Sequence, residues 1–122
     1  MKFITSLEGS FIRDTINFKL SQSLIFRSAA LNKLVIVPVD FVTNFASVPS
    51  WLRWYIDTSA PEIRDAAVVH DYLYVNKIGT RLNADRVLRE GMIELGASKI
   101  KSYLAFFGVR MGGGLHWGAP IL

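Results

Sequence analysis

The sequence predicts an α+β fold: a small N-terminal antiparallel sheet or hairpin, then about four helices, in a single domain spanning residues 1–122. Three observations predict it. Residues 1–45 carry period-2 alternation and β-branched runs. From residue 47 the punctuation turns to helix caps and helical spacing. A chain of 122 residues has room for one core and not for two. The expected division is 1–45 mainly β, 47–111 mainly α and 112–122 an irregular tail.

In "TINFKL" (15–20), apolar Ile16, Phe18 and Leu20 alternate with Asn17 and Lys19, as in a half-buried strand. "SLIFR" (23–27) follows the turn-like Ser21-Gln22, so the two runs are expected to pair as a hairpin. "KLVIVPV" (33–39) reads as a buried strand that ends near Pro38 or lies at a sheet edge, because proline has no N–H for the ladder. "SVPSWLRWYI" (47–56) offers a serine cap and a first-turn proline, the start of a first helix. Ser59 and Glu62 of "SAPE" match a capping box opening a second helix that runs to about Val75. After Gly79, Asn83 is the expected cap of "ADRVLREGMIEL". In "SKIKSYLAFFGVRM" (98–111), Ile100, Leu104, Phe107 and Met111 share one face, expected to be core, and the glycines at 112–114 stop the helix. Trp117 in the tail is expected to pack on something, a neighbouring subunit included.

Composition limits the function classes. Apolar residues are 51% and charged residues 20%, which suggests more apolar surface than a small monomer needs; an oligomer, a bound partner or simply a thick core would use the excess. The net charge is +4, but Lys and Arg are scattered rather than gathered on one stripe, which argues against a nucleic-acid partner. The absence of cysteine excludes disulfides and thiolate metal sites. "MKFITSLEGSFI" lacks the apolar run of a signal peptide, and "YLAFFGV" (103–109) is far short of the roughly 20 residues of a membrane span. The expected place of synthesis is a cytoplasm.

The chemistry centres on "AAVVHDYLY" (66–74). His70 falls in the middle of a stripe of Ile63, Ala66, Ala67, Leu73 and Tyr74, with Asp71 about 100° round the helix. Adjacent in sequence, His70 and Asp71 point apart and cannot form a hydrogen-bonded dyad. Antiparallel packing across residues 76–82 would bring Asp85 of the next helix close to His70. A cluster of His70, Asp71 and Asp85 has two chemical uses: to ligate a divalent metal and its bound water, or to present His70 as a carboxylate-oriented general base. The bland alternative is a core histidine, with the acids capping helices or paired to Arg64, Arg81 and Arg86. In "FVTNFASVPS" (41–50), Thr43, Asn44 and Ser47 are small polar residues able to shape a turn or cap a helix.

"VPVDFVTNFASVPSWLRW", "AAVVHDYLY", "RLNADRVLREGM" and "VRMGG…W", in this order and spacing over about 36–117, resemble a family of short phage and prophage proteins catalogued as domain of unknown function 1353. The chain departs from the family pattern at Asn44, where Asp is frequent, and at Ser50, where Arg is frequent. The resemblance implies a tailed-phage or prophage origin; the expected place of synthesis is then a host cytoplasm, with incorporation into a virion left open. It also groups His70, Asp71 and Asp85, the catalytic or metal-binding candidates, and matches at Thr43, Ser47, Tyr74 and Arg81, which with Asn44 are the binding candidates. Three functions are open: a virion-associated tail, baseplate or neck component binding other phage proteins or itself; a small hydrolase of the host envelope, using His70 with Asp71 and Asp85, with or without a divalent metal; and an inhibitor of a host factor.

Overall fold

The computed structural model of the chain describes residues 2–13, 15, 17–45, 56–57, 60–112, 114 and 117–118. Among these residues six short strands precede three helices: β1 (Lys2–Phe3), β2 (Gly9–Phe11), β3 (Phe18–Leu20), β4 (Leu24–Ser28), β5 (Lys33–Val37), β6 (Val42–Thr43), α1 (Arg64–Val75), α2 (Arg81–Glu94) and α3 (Lys99–Gly112). The α+β class is as expected; the described residues hold three helices, against about four expected over the whole chain. The expected helix at 47–56 lies almost wholly outside the described residues, as does Ser59, but the helix expected to open at the Ser59–Glu62 capping box starts later, at Arg64, after Ile63 and with no side-chain cap bond.

The strands form two antiparallel sheets, ordered β1-β4-β5 and β2-β3-β6. The hairpin expected between "TINFKL" and "SLIFR" therefore does not form, because β3 and β4 belong to different sheets. At Leu20 and Ser21 the chain is claimed by other partners: Leu20 N donates to the Phe41 carbonyl, Asp40 N to Leu20 and Ser21 N to Glu8. Each strand instead pairs with its other sequence neighbour, β3 with β2 and β4 with β5, the latter through a tight turn with Asn32 at φ 53° and Leu31 N donating to the Ser28 hydroxyl. Strand β5 ends before Pro38 and lies at a sheet edge, as proline requires. Only one of its faces is buried: Val35 and Val37 point inward while Leu34 and Ile36 point to solvent.

Helix α1 is buried nearly all round, as a central element must be. Val68, Val69 and Leu73 pack with Leu24, Phe26 and Val37 of the sheets. Ile63 and Ala66 join a second core with Leu88, Met92, Ala105 and Val109 of α2 and α3. Helix α2 starts at Arg81, two residues before the expected Asn83 cap; Thr80 is the cap, its hydroxyl accepting from Asn83 N at 3.1 Å.

Helix α3 reverses the expected burial. Its packed face is Ser102, Ala105, Gly108 and Val109, whereas Ile100, Leu104, Phe107 and Met111 stand in solvent. Small side chains allow α3 to approach α2 closely, which the large ones would prevent. Helical spacing shows which residues share a face but not which face turns inward. Trp117 packs within its own chain, edge-on to Tyr74 at 5.1 Å, with Gly118 N donating to the Tyr74 carbonyl.

Near the start of α1, the buried Asp65 carboxylate accepts from Leu7 N at 3.2 Å. Burial pushes its pKa up; the Leu7 hydrogen bond and Arg64 oppose that, and Glu8 adds to it. A carboxyl with a raised folded-state pKa favours the fold below the unfolded value, and that contribution is lost as pH rises through the folded value. Asp65→Asn keeps an acceptor for Leu7 and removes the charge. We expect the variant to be no less stable than wild type at pH 7, and to lose the wild-type decline as pH rises from about 4. Urea midpoints across that range measure it.

Candidate functional site

Helices α1 and α2 pack antiparallel across the 76–80 turn, where Gly79 adopts φ 71°. That packing brings His70 of α1 to Asp85 of α2, with Nε2 2.9 Å from Oδ1. Asp85 is fully buried and His70 is 2% exposed. Tyr74, one turn beyond His70, donates its hydroxyl to the same Oδ1 at 2.6 Å, and its ring lies 4.3 Å from the imidazole. Arg110 of α3 donates to Oδ2 at 2.9 Å. Arg81 completes the cluster, donating to the Tyr74 hydroxyl at 3.2 Å, to the Val109 carbonyl at 3.0 Å and to the Arg110 carbonyl. It thus satisfies carbonyls at the end of α3, where a cation suits the helix dipole.

One carboxylate therefore joins three helices. Burial alone would push the Asp85 pKa up, but hydrogen bonds from His70 and Tyr74, the charge of His70 and the bond from Arg110 outweigh it and hold the pKa below the usual carboxylate value. The Tyr74 pKa is driven far up, first by burial and then by its bond to Asp85. An ionised Asp85 is an acceptor only, so His70 Nε2 carries the hydrogen. His70 Nδ1 is buried and has no hydrogen-bond partner among the described residues.

Asp71 does not join this cluster. It faces the other way, as its 100° offset requires, and its Oδ2 accepts from the Thr43 hydroxyl at 2.5 Å. The same hydroxyl accepts from Phe45 N at 3.1 Å, the local side-chain-to-backbone turn expected of Thr43, and Phe45 sits at φ 61°. Asn44 lies between them, and Ser47 is outside the described residues. Thr43 and Asp71 thus tie β6 to α1.

The expected triple cluster of His70, Asp71 and Asp85 therefore separates into two contacts, His70–Asp85 and Asp71–Thr43. Among the described residues no group of three His, Asp or Glu side chains is placed to hold a metal ion. The groups bonded to Asp85 are hydrogen-bond donors, one of them the Arg110 guanidinium, and with the Arg81 guanidinium on Tyr74 they repel a cation. The expected arginine partners also change: Arg64 lies 3.8 Å from Asp65, Arg86 reaches Asn83, and Arg110 meets Asp85. Arg110 was not among the sequence-derived candidates. Its one signal was its place in the last turn of α3, and only the packing of α3 on α2 brings it to Asp85.

A His held by a carboxylate can act as a base where solvent or substrate reaches it. Here Nε2 is engaged and Nδ1 is covered. A pocket of about 440 Å³ lies elsewhere, walled by Leu7, Gly9, Phe11, Phe18 and Phe45 with Glu8 and Arg64. None of these residues belongs to the Asp85 cluster. No helix among the described residues is long and apolar enough to cross a membrane.

No curated protein and no solved structure matches the chain. The family model described as "Protein of unknown function (DUF1353)" matches residues 18–109, which span β3 to the last turn of α3 and include every member of the Asp85 cluster except Arg110. The chain belongs to the DUF1353 family.

Proposed function

We propose that the chain is a bacteriophage-encoded, virion-associated structural or assembly protein, a tail, baseplate or neck component that binds neighbouring phage proteins. The phage origin rests on the four sequence blocks, and the binding role on one observation, the apolar face of α3. Ile100, Tyr103, Leu104, Phe107 and Met111 stand in water along one side of a well-packed helix. Contiguous apolar surface of this kind marks contact sites on small proteins. In this reading the Asp85 cluster is a strut that holds α3 against α1 and α2. The test is to purify particles from an induced lysate by density gradient and search them, and their tail intermediates, by mass spectrometry. We expect the chain in one of these fractions, and depleted there when Phe107→Glu replaces it. Absence from both, with full infectivity after gene deletion, overturns the proposal.

A hydrolase of the host envelope is a second reading, favoured by the carboxylate-oriented His70, whose Nδ1 has no hydrogen-bond partner among the described residues. It requires a motion that opens His70 to substrate. His70→Gln that stays folded but loses hydrolysis of envelope fragments would support it.

A further inference from the structure

The exposed face of α3 has the spacing of a helix-pairing seam. Ile100, Leu104, Phe107 and Met111 follow one another at intervals of four, three and four residues, the a/d pattern of a coiled coil over two heptads. These residues are 69%, 37%, 57% and 77% exposed. The stripe is narrow, as befits another helix, and the opposite side of α3 is occupied by α2.

We infer that this seam binds a second copy of the chain, with the two α3 helices antiparallel about a two-fold axis near residues 105–106. This rests on reading the α3 stripe as a contact surface and names its first occupant. The stripe is self-complementary about that axis. Ile100 of one copy faces Met111 of the other, and Leu104 faces Phe107, which gives four apolar layers with a large side chain on each side. The flanking positions also match. Lys101 falls opposite Gly108 of the other copy, and Tyr103 opposite Arg110, so no two like charges are set face to face. A parallel pair would instead face each residue with itself, Met111 against Met111. Arg89, stacked over the Tyr103 and Phe106 rings at 5.0 and 4.7 Å, holds one border of the seam in place. With Tyr103, the stripe leaves on the order of 500 Å² of side chain in water. Together with its borders it approaches the roughly 800 Å² per partner of a standard interface.

The chain has no cysteine, so introduced thiols report the geometry without background. We expect sedimentation equilibrium of the wild type to show a monomer–dimer equilibrium. Phe107→Glu should weaken it by at least about 100-fold, because each dimer carries the change twice at its centre. Phe107 is exposed, so the variant should keep its helical circular dichroism. For register, Ile100→Cys and Met111→Cys proteins mixed under mild oxidation should give a covalent heterodimer, whereas Met111→Cys alone should give none. In the antiparallel pair the two Met111 positions lie about 16 Å apart along the axis, beyond the reach of a disulfide. A wild-type monomer at its highest soluble concentration, a dimer indifferent to Phe107→Glu, or ready self-cross-linking of Met111→Cys each overturns the inference. A monomeric wild type whose Phe107→Glu variant is nonetheless lost from particles would refute self-pairing while sparing the virion role. A Phe107-dependent dimer absent from particles would do the reverse.

Discussion

Asp85→Ala should cost about 3–5 kcal/mol of folding stability, the penalty for removing one partner of a buried ion pair. The substitution strands His70 Nε2, the Tyr74 hydroxyl and the Arg110 guanidinium around an apolar void. Each of these donors lies on α1 or α3, so the loss loosens both helices from α2. Urea denaturation at neutral pH measures the cost. A loss below about 1 kcal/mol, the range of an exposed pair, would show that the cluster is solvated and not a strut. The pH dependence gives a second reading. The pKa of Asp85 is depressed in the folded state, so its contribution is present above the unfolded carboxylate value and is lost as pH falls through the lower folded value. Wild-type stability should therefore fall in acid below about pH 4, and Asp85→Ala should lack that part of the decline.

Gly91→Val should cost about 1–3 kcal/mol or more through overpacking where α1 and α2 cross. A Cβ at Gly91 would meet the Ala66 Cβ at 2.8 Å and its Cα at 3.4 Å, with the Phe3 ring 3.6 Å away. Helix propensity alone would favour valine over this glycine by roughly a few tenths of a kcal/mol, so a net loss isolates the clash. The same crossing sets the 2.9 Å between His70 and Asp85, so helices pushed apart should also stretch that bond. Adding Ala66→Gly removes the nearest atom in the way and should restore part of the stability, leaving the Phe3 contact. Thermal melts of the two single variants and the double variant form the cycle. Additive losses would show that Gly91 does not act through Ala66.

Several features were legible from local chemistry. The α+β order followed from period-2 runs giving way to helical punctuation, and the edge position of β5 from Pro38. The divergence of His70 and Asp71 followed from 100° per residue, and the approach of Asp85 to His70 from a short connection between antiparallel helices. The misreadings share another cause. β3 and β4 are adjacent in sequence with a turn-like Ser21-Gln22, but Phe41, Asp40 and Glu8 compete for the backbone at that turn, and only the assembled sheets decide which pairing wins. Asn83 is a good cap, yet Thr80 lies three residues earlier with its hydroxyl on Asn83 N, and both residue types cap well.

By itself, then, the amino-acid order determined which residues share a face, where helices stop and which family the chain resembles, because these depend on backbone geometry and spacing within a few residues. Tertiary structure alone decided which face of α3 is buried, that Arg110 serves Asp85, and that Asp71 belongs with Thr43. A periodic helix carries two candidate faces, and the choice between them depends on how closely the next helix can approach. Here Ser102, Ala105 and Gly108 permit that approach, and the large apolar residues are left on the outside.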